Sequence, residues 1–164
     1  MDDNKRNGGI IAMTAKYSAL DIANYFLYKA QQDGQELLSN LKLQKLTYYA
    51  QGMFCVLTNK HLFSDSICAW TYGPVVPDLY HKYKRYQSSG IPADKNFDTN
   101  GMDLKTRKYL DSIYNFFGQF SAIRLMEMAH SDQCYIEAGN NNEITVDAMK
   151  SCLRKYLKDG KEKK

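Results

Sequence analysis

Two prolines and the only tryptophan lie within eight residues, and this feature constrains the fold more than any other part of the sequence. Pro74 and Pro77 each fix their own φ and keep the preceding residue extended. The run before Gly73 is rich in β-branched and aromatic residues and too short for a stable helix, which predicts a strand or one arm of a hairpin. The sequence therefore predicts extended backbone that enters a rigid bend after Trp70.

A helix is predicted to begin at Pro77, where the missing N–H costs nothing, and Asp78 favours the positive end of its dipole. Helical spacing brings Tyr80, Tyr83 and Lys84 close together on one face. The bend is thus expected to lead directly into a tyrosine-lined helix.

The longest helical pattern follows Ser39 and Asn40, which cap it, and has Asn59 as a left-handed end. Its expected core stripe is Leu43, Leu46, Ala50, Met53 and Leu57, with Lys42, Gln44 and Lys45 facing elsewhere. Gly52 within it costs about 1 kcal/mol relative to Ala, which indicates either a closely approaching element or relaxed packing.

Capping residues predict further helices. They begin at Ser18, Asp103, Ser121 and Thr145, and a turn or short helix lies over residues 131–138. The predicted fold is mainly α: a compact single domain of about six helices with a short extended or β-hairpin element before the bend. Residues 1–16 are expected to form a flexible leader, 17–158 the domain and 159–164 a basic tail.

The net charge of +4 comes entirely from residues 154–164, so residues 1–153 are neutral overall. A neutral body argues against a nucleic-acid groove, which usually carries a basic face. His81, Lys82 and Arg85 nevertheless alternate with tyrosines, a pattern that also suits phosphate contacts and base stacking. A nucleic-acid-binding regulatory protein therefore remains the alternative interpretation.

The four cysteines are far apart and have no metal-ligand spacing, so we predict no metal. No phosphate-binding loop or catalytic motif appears, so we predict no cofactor and no catalytic residues. The sequence shows no signal peptide and no apolar run of membrane length. The four cysteines are therefore expected to be thiols in a reducing cytoplasm. His130 and Cys134 have the spacing of a thiol–imidazole dyad, which leaves a thiol-dependent hydrolase open. The simpler interpretation is a His130 that hydrogen-bonds a backbone group.

Two motifs together carry a family resemblance: LKLQKLTYYAQG at residues 41–52 and AWTYGPVVPDLY at residues 69–80. With SAIRLMEMAHSDQCYIEA at residues 121–138, they resemble the Panacea domain family of SocA-like antitoxins, which includes phage-associated GepA-like proteins. The likeness covers residues 18–157. It implies a cytoplasmic, non-enzymatic antitoxin that binds and neutralises a cognate toxin, and some members instead present the toxin to a AAA+ protease.

The predicted site is a rigid aromatic platform on the bend. Its candidate partner-binding residues are Lys42, Gln44, Lys45, Tyr48, Trp70, Tyr72, Gly73, Pro74, Val75, Pro77, Tyr80, Tyr83 and Lys84. Family-motif residues expected to be structural are Leu43, Leu46, Ala50, Gly52 and His130. An alternative is that the motifs only maintain the fold, while loops such as residues 87–102 select the toxin.

Overall fold

The computed structural model describes residues 15–34 and 36–157, which form seven α-helices and one small sheet. The helices are α1 (Ala19–Gln32), α2 (Asn40–Thr58), α3 (Pro77–Tyr83), α4 (Leu104–Phe117), α5 (Ala122–His130), α6 (Gln133–Ala138) and α7 (Val146–Cys152); the strands are β1 (Ile67–Trp70), β2 (Gly73–Val75) and β3 (Glu143–Ile144). Short 3₁₀ turns span Lys84–Tyr86 and Thr99–Gly101. The mainly α fold with a hairpin before the bend is confirmed. Almost all of the predicted leader and the whole basic tail lie outside the described residues.

The helix starts follow the capping chemistry of the sequence. Ser18 and Asp21 form a reciprocal capping box at α1, and Ser39 accepts a hydrogen bond from the backbone N–H of Lys42 at α2. Asp103, Ser121 and Thr145 likewise each accept a backbone N–H three residues on, at α4, α5 and α7. These side chains satisfy N–H groups that have no partner within the helix, so the predicted starts are confirmed.

Helix α2 runs through the centre of the fold, and α1, α4, α5, α7 and β2 all pack against it. It is therefore buried on almost every side from Leu43 to Met53, which a single core stripe did not predict. The prediction that Leu57 belongs to the core stripe was wrong, because its side chain is 53% exposed. At Gly52 the segment that follows α7 packs directly on the backbone of α2. A Cβ on this glycine would collide with the Leu153 side chain.

The sheet has the strand order β2-β1-β3 and is antiparallel throughout. Trp70 pairs with Gly73 across the hairpin, and Ile67 pairs with Ile144 of β3. The sequence did not indicate β3, since two residues carry no strand periodicity. Gly73 has a φ of +109° and is not in the ordinary extended conformation expected from the following proline. Only glycine adopts this backbone readily.

Two buried glutamines of α2 hold the segments on either side of β1. Gln51 accepts hydrogen bonds from the backbone N–H groups of Leu62 and Phe63 and donates to the Phe63 carbonyl. Gln44 accepts from the Val76 N–H at 2.9 Å within the bend. Because a buried backbone group without a partner is costly, these amides fix the path of the chain on the surface of α2.

Cys134 and Cys152 are joined as a disulfide that links α6 to α7, whereas Cys55 and Cys68 are free. The expectation of four thiols is thus corrected for two of them. These residues lie on different helices, and only the packing of α6 on α7 brings them together. Among the described helices, none combines the length and hydrophobicity required to cross a bilayer.

Candidate functional site

A groove of about 710 Å³ lies between the start of α2, the hairpin loop, α3 and α5, and most of its exposed lining is apolar. Its lining residues are Asn40, Leu41, Gln44, Lys45, Trp70, Thr71, Tyr72, Val75, Tyr80, Lys84, Gln87, Ser88, Ile123, Met126 and Asn141. Two large apolar side chains in it face solvent, with Tyr72 68% and Ile123 55% exposed. Exposed apolar patches of this kind mark interaction sites on protein surfaces.

One wall of the groove is an aromatic cluster. The rings of Trp70 and Tyr80 meet edge to face with centroids 5.3 Å apart, and the His81 ring lies 5.9 Å from Trp70 and 5.5 Å from Tyr80. Trp70 and Tyr80 are both half-buried. Edge-to-face packing is a favourable arrangement for aromatic rings, so this wall is preformed.

The hairpin loop that carries Tyr72 is held from the opposite side by the end of α5 and by α6. The Tyr135 hydroxyl donates to the Trp70 carbonyl at 2.6 Å, and His130 Nε2 lies 3.0 Å from the Thr71 carbonyl oxygen. Both contacts are to backbone, as the simpler interpretation of His130 expected. These two contacts fix the position of the loop through its backbone, so the side chains that line the groove are not used in them.

Lys45 lies at the base of the groove and has no exposed surface. Its Nζ donates to the Pro74 carbonyl at 3.3 Å, and a Cβ on Gly73 would lie only 2.6 Å from Lys45 Cε. Within the described part of the chain, no carboxylate lies within ion-pair distance of this amine. Burial therefore lowers the pKa of Lys45 to about 7, since desolvation disfavours the charged form.

A separate buried network is centred on Asp132, which is 0% exposed. The hydroxyls of Tyr48 and Tyr49 donate to its Oδ2 at 2.8 and 3.0 Å, and Lys155 Nζ is 2.8 Å from Oδ1. Burial, together with this carboxylate, raises the pKa of Tyr48 well above its usual range. The network links α2 to the residues after α7 and does not line the groove.

The thiol–imidazole interpretation is corrected by the structure. Cys134 is buried and disulfide-bonded to Cys152, so it has no free thiolate. His130 is directed to the Thr71 carbonyl. Among the described residues, no group of three or more His, Cys, Asp or Glu side chains could hold a metal ion.

The structure divides the thirteen predicted partner-binding residues by accessibility. Lys42, Trp70, Tyr72, Pro77, Tyr80 and Lys84 have accessible surface, whereas Gln44, Lys45, Tyr48, Gly73, Pro74, Val75 and Tyr83 are buried. The buried members support the bend or the core, and Gln44, Lys45 and Val75 among them form part of the groove wall with almost no accessible surface. Lys42 lines a different cavity, where its Nζ donates to the Gly118 carbonyl at 2.8 Å.

Sequence reasoning missed the α5 side of the groove, which Ile123 and Met126 provide. These residues are three apart on a helix whose core side is formed by Leu125 and Ala129. The available signal was an excess of apolar residues on α5 over the single stripe that core packing requires. Gln87 and Ser88, at the start of the loop over residues 87–102, were also missed as groove residues.

By its fold and its site, the protein is a mainly α domain that carries a preformed aromatic groove. More than half of the 164 residues, from 43 to 135, match the family described as "Antitoxin SocA-like, Panacea domain". The chain belongs to this family. The description of the family names an antitoxin, and a functional role for this chain is proposed below on that basis.

A curated relative with the name Antitoxin SocA, from Caulobacter vibrioides (strain NA1000 / CB15N), is 46% identical over 43 residues. The aligned segment is 26% of this chain and 23% of that protein, so the chain spans less than a quarter of the relative's length. No solved structure matches the chain.

Proposed function

We propose that this protein is an antitoxin that neutralises its toxin by direct binding, and that the groove beside the hairpin loop receives the toxin. The observation that carries the proposal is the exposure of Tyr72 and Ile123 in one preformed groove. Solvated apolar side chains at fixed positions gain free energy when a partner covers them. We place the protein in the cytoplasm, although the Cys134–Cys152 disulfide is a bond that this reducing compartment normally disfavours.

The buried groups around the groove support this role because they hold its shape before a partner arrives. Gln44 bonds the bend, Tyr135 bonds the Trp70 carbonyl and His130 contacts the Thr71 carbonyl. Rigidity of this kind lowers the entropy that binding would otherwise cost. The proposed platform is therefore the accessible surface of Trp70, Tyr72, Tyr80 and Lys84 together with α5.

The test is co-expression with the product of the neighbouring gene. We expect that product to arrest growth alone and to be tolerated with this protein. An Ile123→Gln variant should lose protection while retaining its melting temperature. The matched control is Leu104→Gln, because Leu104 is similarly exposed at 57%, also lies near a helix N-terminus and does not line the groove. Equal protection by both variants would reject the groove.

Measuring the toxin level in the same cells separates two mechanisms. Steric neutralisation leaves the toxin intact and co-purifying with this protein, whereas an adaptor for a AAA+ protease lowers the amount of toxin. We propose the steric mechanism as the primary one, because a groove with exposed apolar residues is sufficient to hold a partner.

The second candidate is a nucleic-acid-binding regulator, and one observation favours it. His81, Lys82, Lys84 and Arg85 are all exposed on α3 and the 3₁₀ turn that follows. This role predicts DNA retention that falls steeply with salt and is lost when residues 154–164 are removed. Retention that is absent at low salt would exclude it.

A further inference from the structure

We infer that the groove selects an acidic apolar segment: a stretch of the toxin in which a bulky apolar side chain lies next to an aspartate or glutamate. The inference rests on the proposed function only in taking the toxin as the source of that segment. The chemistry of the segment follows from the charges and the shape of the groove itself.

The charge of the groove has one sign. Of its fifteen lining residues, Lys45 and Lys84 are lysines, and none is an aspartate or glutamate. Outside the groove, the same segment carries exposed Lys82 and Arg85 and also exposed Asp78, so the charge inside the groove is set by its own lining. A groove of low polarity strengthens the potential of the charges around it, so an entering carboxylate is favoured and an entering lysine is disfavoured.

The two lysines occupy different depths. Lys84 is exposed at the rim, so its ammonium is available to pair with a carboxylate of a bound segment. Lys45 is fully buried below and is bonded only to the Pro74 carbonyl among the described residues. Its amine is spent on that bond within the groove floor, so the positive charge that a bound carboxylate would meet is the ammonium of Lys84.

The apolar side chain of the bound segment is expected to contact the apolar lining of the groove. Tyr72, Ile123 and Met126 line the groove with Trp70 and Tyr80, and covering them requires a bulky aliphatic or aromatic side chain. A purely acidic strand would leave these residues exposed, and a purely apolar strand would gain nothing from Lys84. The favourable occupant therefore combines both features within a few residues.

The experiment uses a phage-displayed random heptapeptide library selected on the immobilised full chain. Enriched peptides are then synthesised with a fluorophore and measured by fluorescence anisotropy against wild type, Lys84→Glu and Lys82→Glu. These two variants change the net charge equally, and both positions are exposed, but only Lys84 lines the groove. We expect enriched peptides to contain an aromatic or aliphatic residue beside Asp or Glu. Lys84→Glu should weaken binding about tenfold and Lys82→Glu less than about twofold.

The inference is overturned if the enriched peptides are basic or uncharged, if no peptide is enriched, or if both variants weaken binding equally, as bulk electrostatics would require. Loss of peptide binding in Ile123→Gln supports the apolar half, and retained binding overturns it. The outcome is independent of the growth test. Acidic apolar peptides that depend on Lys84, in a chain that protects against no toxin, would refute the proposed function while leaving the groove chemistry in place.

Discussion

Replacing Lys45 with methionine should stabilise the protein at neutral pH and remove part of its pH dependence. Methionine has a similar length and no charge, so it fills the space below Gly73 without the cost of burying an amine. The substitution removes one hydrogen bond, the 3.3 Å contact with the Pro74 carbonyl. A hydrogen bond from a charged donor is worth about 2 kcal/mol, which is less than the cost of burying the charge.

The size of that cost follows from the pKa. Burial lowers the pKa of Lys45 from 10.5 to about 7, and each pKa unit corresponds to about 1.4 kcal/mol. The full cost, roughly 5 kcal/mol, applies below pH 7, where the lysine is charged in both the folded and the unfolded protein. With the hydrogen bond deducted, we expect Lys45→Met to raise the free energy of unfolding by about 2 to 3 kcal/mol near pH 7.

The direction of the pH dependence is set by the lowered pKa. Between pH 7 and 10.5 the unfolded chain holds a proton on Lys45 that the folded protein has released, so raising the pH favours the folded state. In the wild type, the free-energy cost of burying the Lys45 amine should therefore fall by about 2 kcal/mol between pH 7 and pH 9. In Lys45→Met this contribution is absent, and the two free energies of unfolding should converge as the pH rises.

Urea unfolding at pH 7, 8 and 9, followed by circular dichroism, measures both quantities. Comparing wild type with variant cancels the tyrosines and free cysteines whose pKa values burial raises. The control is Lys84→Met, an exposed lysine, which should change the free energy of unfolding by less than about 0.5 kcal/mol at every pH. A destabilised Lys45→Met, or a difference from wild type that stays constant with pH, would refute the reasoning.

Three further variants test other parts of the structure by urea unfolding. Asp132→Asn should lose about 3 kcal/mol, because three tyrosine hydroxyls and a lysine bond its buried carboxylate; the exposed Asp147→Asn should lose less than about 1 kcal/mol. Gly73→Ala should lose roughly 3 kcal/mol from its φ of +109° and the lysine stem beneath it, and an unchanged midpoint would contradict that. Tyr135→Phe should lose about 1 kcal/mol and change the emission of Trp70, whose carbonyl it bonds; unchanged emission and stability would show that this contact contributes nothing.

Local chemistry explains what the sequence could predict. The caps at Ser18, Ser39 and Asp103 act within three residues, so short stretches contain the information that sets these helix starts. The left-handed Asn59 at the end of α2 was predictable for the same reason. Pro77 likewise begins α3 by itself, whereas the positive φ of Gly73 was not predicted from the proline that follows it. Fold class followed because such elements occur along most of the chain.

Contacts between distant segments explain what was missed. Lys45 and Gln44 are polar, so their types predicted solvent, but the hairpin and the bend cover them with backbone that needs donors and acceptors. Leu57 is apolar, yet it lies on a side of α2 that the described elements leave exposed. The groove itself forms only when α5 meets the hairpin loop, and no local pattern encodes that meeting.

This arrangement separates residues that maintain the groove from residues that a partner would touch. Gln44 is buried and bonds the bend, so a Gln44 variant would lose stability and binding together and could not identify a contact surface. Ile123 is exposed on a helix anchored by Leu125, so its loss should affect binding alone. If toxin choice resides in this groove, it can change through Ile123, Met126 and Gln87 while the buried motif stays intact. One fold could thereby accept different partners without refolding its core.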